Sequence, residues 1–286
     1  MTILIAQCYA YLYVIIKRFL GFEVPGLGFL LRRVKSESIL NWRGRKIYFE
    51  PTVASSYGLH IIGFDQEPET HDILHHIFQS TSNQSFFIDV GANIGAFLID
   101  LSRYEHIHCI GFEPSANCVY AINKSVEINF QKNVVIEQCL VGNSNNSFPY
   151  SDGVNPQGSS IYSAVSESSS ELVQMCRLDD CARINSISSE AQVVLMIDVE
   201  GYELEVIRGG LDFIRRIRPL IIFEYNQISK NHYKINEVCE VLGNSYDFFR
   251  LKTDGGLDKN LENAWNCIAL PSGGFFEEIL SSRISC

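Results

Sequence analysis

The feature that most constrains this chain is a short apolar run, Phe86-Phe87-Ile88-Asp89-Val90, that stops on Gly91-Ala92-Asn93-Ile94-Gly95 and restarts at helical spacing. Ile94, Phe97, Leu98 and Leu101 share one face of a helix expected over residues 94–104. Strand, glycine-rich loop and helix in that order open a βα unit.

The alternation continues down the chain. Residues 108–112, 134–141, 193–199 and 220–224 read as further strands, with late strands over 247–251 and 267–270. Helices are expected over 116–130 (Val119, Ile122, Val126, Phe130), 202–217 (Leu204, Ile207, Leu211, Ile214) and 235–242. Upstream, 71–78 reads as a short helix, and 45–63 as a hairpin around Ser55-Ser56. Residues 143–170, rich in Ser, Asn and Gly, read as a long loop or hairpin. Apolar strands between amphipathic helices imply an α/β fold with a doubly wound, mainly parallel, Rossmann-like sheet covered on both faces. The expected division is an apolar and basic segment, 1–44, followed by one domain over 45–286 that includes the hairpin.

Ligands of such sheets bind beyond the carboxyl ends of the strands, where the strand order reverses. The loop at Gly91, Ala92, Asn93 and Gly95 lets the backbone approach a ligand closely, and the helix start behind it favours an anionic group through its N–H donors. The second strand ends Gly111-Phe112-Glu113-Pro114, and an acid there can accept hydrogen bonds from both hydroxyls of a ribose. Together the two strand ends describe a nucleoside site. A dinucleotide fingerprint wants G-x-G-x-x-G, but Asn93 stands at the second glycine and Asp89 lies just before the loop. That carboxylate would repel a pyrophosphate and attract an ammonium, which favours S-adenosylmethionine over a nicotinamide dinucleotide. The adenine is expected near Pro114 and residues 137–139.

The fourth strand adds Asp198 and Glu200, which alternation places on one face with Val199 opposite. Either is a candidate general base, and the two are candidate ligands for a divalent cation. Glu224, at the next strand end, is a candidate for binding acceptor hydroxyls. Tyr225 and Asn226 are weaker candidates. His71, His75 and His76 read as surface or structurally satisfied histidines, and Asp179 and Asp180 as loop stabilisers.

Composition narrows the partners. The net charge of −10 over 286 residues disfavours general nucleic-acid binding. Nine scattered cysteines without a C-x-x-C pair suit a reducing compartment and no structural zinc. Three N-x-S matches carry little weight. The uncharged stretch 1–16, followed by Lys17-Arg18, falls short of the roughly 20 residues that span a bilayer. It lacks the leading charges of a secretory signal. The expectation is a helix packed on the domain or on a membrane surface, with peripheral membrane contact through residues 1–35 and a cytoplasmic location. A short anchor is the alternative, and its trailing charges would still keep the domain cytoplasmic.

Several segments, in order and spacing, resemble the motif set of FkbM-type methyltransferases. They are Phe87 to Gly95, Gly111-Phe112-Glu113-Pro114, Arg177-Leu178-Asp179-Asp180, and Ile197-Asp198-Val199-Glu200-Gly201-Tyr202-Glu203-Leu204-Glu205-Val206. Pro219 to Glu224 is similar to that family's next strand. The resemblance covers roughly residues 45–270. It implies a class I methyltransferase fold and, for most members, O-methylation of hydroxyls on sugars or natural products. Met196 departs from it, standing where the family often has Lys, and the insertion at 143–170 is individual.

These readings converge on an S-adenosylmethionine-dependent O-methyltransferase acting on a sugar, glycan or other polyhydroxylated small molecule. The alternatives are an N-methyltransferase, or a non-catalytic nucleoside-binding, membrane or partner module on the same fold.

Overall fold

A computed structural model describes residues 38–49, 67–81, 84–150 and 171–284. The apolar segment 1–35, the Ser55-Ser56 turn and residues 151–170 of the Ser/Asn-rich stretch lie outside the described residues.

The first described unit is a hairpin, β1 (Ser38–Trp42) and β2 (Arg45–Phe49), paired Trp42 to Arg45 and Leu40 to Ile47. It is a hairpin that the sequence reading did not expect; the one expected over 45–63 turns at Ser55-Ser56, outside the described residues. Its two turn residues, Arg43 and Gly44, both have positive φ, as a two-residue hairpin turn matched to strand twist requires. An Arg-Gly turn lacks the usual Asn or Asp signal, so the sequence reading passed over it. Trp42 and Ile47 pack on Ile94 and Ile99.

The chain then runs α1 (Pro68–Ser80), β3 (Ser85–Val90), α2 (Ala96–Leu101), β4 (Ile107–Phe112), α3 (Ala116–Ile128) and β5 (Val134–Glu137). Next come β6 (Leu140–Val141), β7 (Ser147–Tyr150), β8 (Glu171–Cys176), a single 3-10 turn Leu178–Asp180, and α4 (Ala182–Asn185). The second half is β9 (Gln192–Ile197), α5 (Glu203–Gly209), α6 (Leu211–Ile217), β10 (Leu220–Glu224), α7 (Ser229–His232) and α8 (Ile235–Leu242). It closes with β11 (Tyr246–Leu251), β12 (Leu257–Asp258), β13 (Asn266–Pro271) and α9 (Phe275–Leu280).

Eight strands form the main sheet in the order β12-β11-β13-β10-β9-β3-β4-β5. The pairs from β10 to β5 are all parallel, while β13 inserts between β10 and β11 and runs against both. The order reverses between β3 and β9, so the binding crevice should open at their carboxyl ends. Alternation divides the core in two. Ile88, Val90, Leu195, Ile197 and Phe223 face α5, α6 and α8. Phe87, Val194, Met196 and Ile222 face α1, α2 and α9. On α1, Ile73, Leu74, Ile77 and Phe78 are all fully buried, each worth about 1.5–3 kcal/mol relative to exposure.

Two expected elements are divided. The strand over 134–141 leaves the main sheet after Glu137, and Leu140–Val141 joins β7 and β8 in a separate three-stranded sheet. The helix over 202–217 breaks at Gly209-Gly210. A Cβ on Gly209 would stand 1.9 Å from the Gly142 carbonyl oxygen, so the contact between helix and small sheet demands glycine.

Candidate active site

The loop after β3 is closed by its own backbone. Gly91 and Ala92 N–H both donate to the Phe112 carbonyl (2.9 and 3.1 Å), and Gly95 N–H donates to Ala92 (2.8 Å). Asn93 N–H donates to Glu113 Oε2 (2.8 Å), while Ser115 N–H donates to Glu113 Oε1 (2.8 Å). At Gly91, Ala92, Asn93 and Gly95 the backbone donors thus serve the fold. The helix behind, α2, is also shorter than expected, because Gly95 at φ +78° delays its start. Gly91 is irreplaceable on geometry. Its φ is +88°, and a Cβ there would lie 1.8 Å from the Asp198 carbonyl oxygen.

Glu113 thus ties the β3 loop to the β4 end. Pro114 follows it, and its carbonyl accepts from the Gln138 amide at 3.5 Å, bringing it beside the end of β5. A cleft on that side is lined by Phe112, Glu137, Cys139, Cys181 and Arg183, at the place expected for adenine.

On the face covered by α1, a crevice is lined by Trp42, Glu67, His71, Asp89, residues 91–94, Phe97, Met196 and Asp198. Asp89 is 2 % exposed, and its Oδ2 has no hydrogen-bond partner. Burial, with the Glu67 charge nearby, pushes its carboxyl up to about 7. A buried orphan carboxylate oxygen beside a tight glycine loop fits a ligand ammonium.

Asp198 follows β9, and its N–H donates to Val90 (2.9 Å), locking the two strand ends together. Burial, then the charges of Glu224, Glu67, Glu200 and Glu203, hold its carboxyl well above the ordinary range. Glu224 ends β10, one residue beyond the Ile197–Phe223 pair. It is 7 % exposed with Oε2 unpartnered, and burial, then Glu200, Glu203 and Glu67, push it up to about 8.

The alternation argument for Glu200 does not hold. β9 stops at Ile197, and Glu200 (φ +52°) and Gly201 (φ +103°) form a left-handed turn. Glu200 is half-buried, and burial with the Glu203 charge raises its carboxyl, against a hydrogen bond from Asn226. The turn is pinned by Glu203, which accepts from Gly201 N–H (3.0 Å) and Val199 N–H (3.3 Å). Glu203, not Glu200, therefore fixes this loop. Among the described residues, no group of three His, Cys, Asp or Glu side chains is arranged to hold a metal ion.

Other expected residues are structural. Asn226 Oδ1 accepts from Ile228 and Ser229 N–H, and the Tyr225 hydroxyl accepts from Ile235 N–H. Asp179 accepts from Phe213 N–H and pairs with Arg177, while Asp180 accepts from Asn145. His75 and His76 are hydrogen-bonded, as expected. His71 is too, yet it also lines the crevice. Sequence reasoning missed Glu67, Glu203 and Asn266. Asn266, opposite Glu224 on β13, donates to Glu67 Oε2 (2.6 Å) and Thr70 Oγ1 (3.0 Å), fixing the start of α1 over the sheet.

A mainly parallel sheet with one reversed strand between the last two parallel ones, a glycine loop after its first strand and an acid after its second define a class I methyltransferase scaffold. The Methyltransferase FkbM domain matches residues 89–250, more than half of the chain. The chain belongs to the FkbM family of S-adenosylmethionine-dependent methyltransferases. Among solved structures it is similar to the methyltransferase FkbM from Methylobacillus flagellatus KT, at 16 % identity over 77 % of this chain and 56 % of that one, with a TM-score of 0.45. It thus spans little more than half the length of that relative. It is also similar to M. jannaschii TYW2 in complex with AdoMet, at 14 % identity over 82 % of this chain and 84 % of that one, TM-score 0.40. A third is the precorrin-6y C5,15-methyltransferase from Geobacter metallireducens GS-15, at 11 % identity over 69 % and 87 %, TM-score 0.38. At these scores the assignment rests on the family match. No curated protein matches the chain. Among the described residues, no helix is long and apolar enough to cross a membrane.

Proposed function

We propose that this protein transfers the methyl group of S-adenosylmethionine to a hydroxyl of a sugar or another polyhydroxylated small molecule. One observation carries the reading: buried carboxyls with unpartnered oxygens, Asp89 and Glu224, flank Asp198 on the α1 side of the switch point. Asp89 takes the donor's ammonium, Glu113 its ribose hydroxyls, and the cleft beside Pro114 and Glu137 its adenine. The turn at Gly91 allows this close approach. When bound, S-adenosylmethionine supplies an electrophilic methyl carbon. Glu224, raised to about 8, is largely protonated at neutral pH, so it can both donate to and accept from acceptor hydroxyls. Asp198 does the same at the next strand end, placing the acceptor oxygen in line with the methyl group. Asp198 and Glu200 supply two carboxylates where a divalent cation could add to this, and metal removal by chelation tests that role directly.

The acidity of the crevice also favours a second reading, methylation of an amine drawn in by the carboxyls. The mass and acid stability of the product separate a methyl ether from a methylamine.

The test is isothermal titration of S-adenosylhomocysteine into the protein, with Glu113→Ala in parallel, followed by assay with simple methyl glycosides. Micromolar binding that weakens at least tenfold in the variant, with turnover on a glycoside, is expected. No binding by the intact protein would overturn the nucleoside site and leave a partner or membrane module on this fold.

A further inference from the structure

The sequence shows nine cysteines scattered along the chain, and the fold brings two of them together. Cys139 lies between Glu137, the last residue of β5, and Leu140, the first of β6, where the chain leaves the main sheet. Cys176, 37 positions further on, ends β8. Their Sγ atoms stand 3.3 Å apart, within reach of a thiol–thiol hydrogen bond. The backbone fixes this spacing. β6 and β8 run parallel with Val141 opposite Cys176, and Gly142 N–H donates to the Cys176 carbonyl (3.0 Å). Neither sulfur is sealed in the core. Both residues are half-buried, and both line the cleft that also holds Phe112, Glu137, Cys181 and Arg183. Cys267 is the contrast: it is fully buried in the main sheet, and burial pushes its thiol up to about 12.

We infer that Cys139 and Cys176 are a dithiol modification site, which a low-molecular-weight disulfide such as glutathione disulfide converts into an intramolecular disulfide in the wall of this cleft. Cys176 is the attacking thiol and Cys139 the resolving one. A hydrogen bond from Cys139 holds the Cys176 thiol below its ordinary value, against burial and the charges of Glu137 and Asp180. The same bond, with burial, raises Cys139, which keeps its proton. The thiolate is the nucleophile in such exchange. In the first step the Cys176 sulfur bonds to one sulfur of the small disulfide as that S–S bond breaks, and one glutathione leaves. Cys139 then gives up its proton and attacks the Cys176 sulfur, and the second glutathione leaves. The protein thiols lose two electrons, one small disulfide becomes two thiols, and the two protein protons end on the two glutathiones. No other co-reactant is needed. The sulfurs have only to close from 3.3 Å to roughly 2 Å.

The pair sits where its state is felt. Cys139 N–H donates to the Glu137 carbonyl (3.1 Å), and Glu137 Oε1 accepts from Arg183 Nε (2.9 Å) in α4. Gln138, between them, reaches the Pro114 carbonyl at 3.5 Å. Drawing Cys139 toward the end of β8 therefore moves the segment proposed to hold adenine. This effect on donor binding rests on the methyl-transfer reading above, whereas the chemistry of the pair does not. The coupling is reciprocal: whatever factor the disulfide takes from S-adenosylhomocysteine affinity, bound S-adenosylhomocysteine takes from disulfide formation. Cys181 lines the same cleft just before α4, and it serves as the internal control for selectivity.

The test is incubation of the reduced protein with excess glutathione disulfide, followed by alkylation of the remaining thiols and peptide mass mapping. The peptides carrying Cys139 and Cys176 should appear joined and lighter by two hydrogens, with Cys181 alkylated. Cys139→Ser should stall with one glutathione on Cys176, while Cys176→Ser should leave Cys139 largely a thiol. A pair that stays reduced, or a crosslink to Cys181 in its place, overturns the proposal. Glutathione captured by Cys139 in Cys176→Ser as fast as by Cys176 in Cys139→Ser overturns the assignment of the attacking thiol. Isothermal titration of S-adenosylhomocysteine into the reduced and oxidised protein then reads the coupling. Binding roughly tenfold weaker after oxidation is expected, with no response to glutathione disulfide when both residues are serine. Equal affinity in the two forms overturns the coupling. A reduced protein that binds no S-adenosylhomocysteine would instead overturn the nucleoside reading, while the peptide map still decides the dithiol.

Discussion

The two ends of the crevice are built in opposite ways. At the end proposed for the donor, the loop after β3 spends its amides on Phe112, Ala92 and Glu113, and Glu113 receives a second amide from Ser115. Nearly everything there is satisfied before a ligand arrives. At the end proposed for the acceptor, Glu200 and Glu224 keep oxygens without partners, burial and neighbouring carboxylates raise Asp198 and Glu224, and Glu200 sits in a left-handed conformation. Asp89 belongs to both ends, since it precedes the donor loop yet carries an orphan oxygen. The difference separates what must be rigid for any acceptor from what is left unsatisfied for a particular one.

The sharpest way to break this contrast is Gly91→Ala. A Cβ 1.8 Å from the Asp198 carbonyl, on a backbone at φ +88°, forces the loop and the β9 end apart. A loss of about 3 kcal/mol or more in stability is expected, read by denaturant unfolding, with no measurable S-adenosylhomocysteine binding. A variant that unfolds at the native midpoint and still binds would show that the donor end is softer than described.

Asp89→Asn should act in opposite directions on stability and binding. The native state holds a proton on Asp89 up to about pH 7, which the unfolded chain releases near the ordinary carboxylate value. The native state therefore binds more protons across that window, and stability falls as pH rises through it, levelling off above pH 7. The gap is worth on the order of 4 kcal/mol. An unsatisfied amide offsets about 1–2 kcal/mol of this. At pH 8 the ligand-free variant should thus be more stable by about 2 kcal/mol, and at pH 4, where the native carboxyl is already neutral, less stable by about 1–2 kcal/mol. The unaltered protein should bind S-adenosylmethionine roughly tenfold more tightly at pH 8 than at pH 6, as Asp89 ionises to meet the ammonium. The variant should bind weakly with a flat pH dependence, and an unchanged slope would remove Asp89 from the donor site.

The smallest effect is expected from Glu200→Gly. Relieving a left-handed glutamate and one member of a crowded acidic group should raise stability by about 0.5–1 kcal/mol at neutral pH. Thermal unfolding reads it, and a loss of stability would mean that Glu200 holds its turn through contacts of its own.

How much of this was legible in the chain follows the same division. The donor end is nearly contiguous. Asp89 to Gly95 and Gly111 to Pro114 each sit where one strand ends, and their spacing carried the nucleoside reading. The central strands were legible as well, because strands buried on both faces are apolar without interruption. The hairpin over 38–49 was missed, since its turn uses Arg43 where Asn or Asp is usual. The close approach that keeps position 209 a glycine was hidden because its partner, Gly142, is far away in sequence. Glu200 was misplaced because alternation was carried three residues past the end of β9. The acceptor wall was least legible of all. His71, Glu67 and Asn266 reach it from α1 and β13, and no local pattern announces that those segments meet.

The clamp from Asn266 to Glu67 and Thr70 has a consequence for how the molecule comes into being. Its partners are separated by 199 and 196 residues along the chain. During synthesis at about 5–20 residues per second, the start of α1 waits roughly 10–40 seconds for the strand that anchors it. Its apolar face, Ile73, Leu74, Ile77 and Phe78, spends that interval without most of the sheet it will cover. The donor loop can close soon after residue 115 is made, but the wall that carries His71 cannot settle until β13 has emerged. An enzyme completed in this order holds back its acceptor chamber until nearly all of its framework exists.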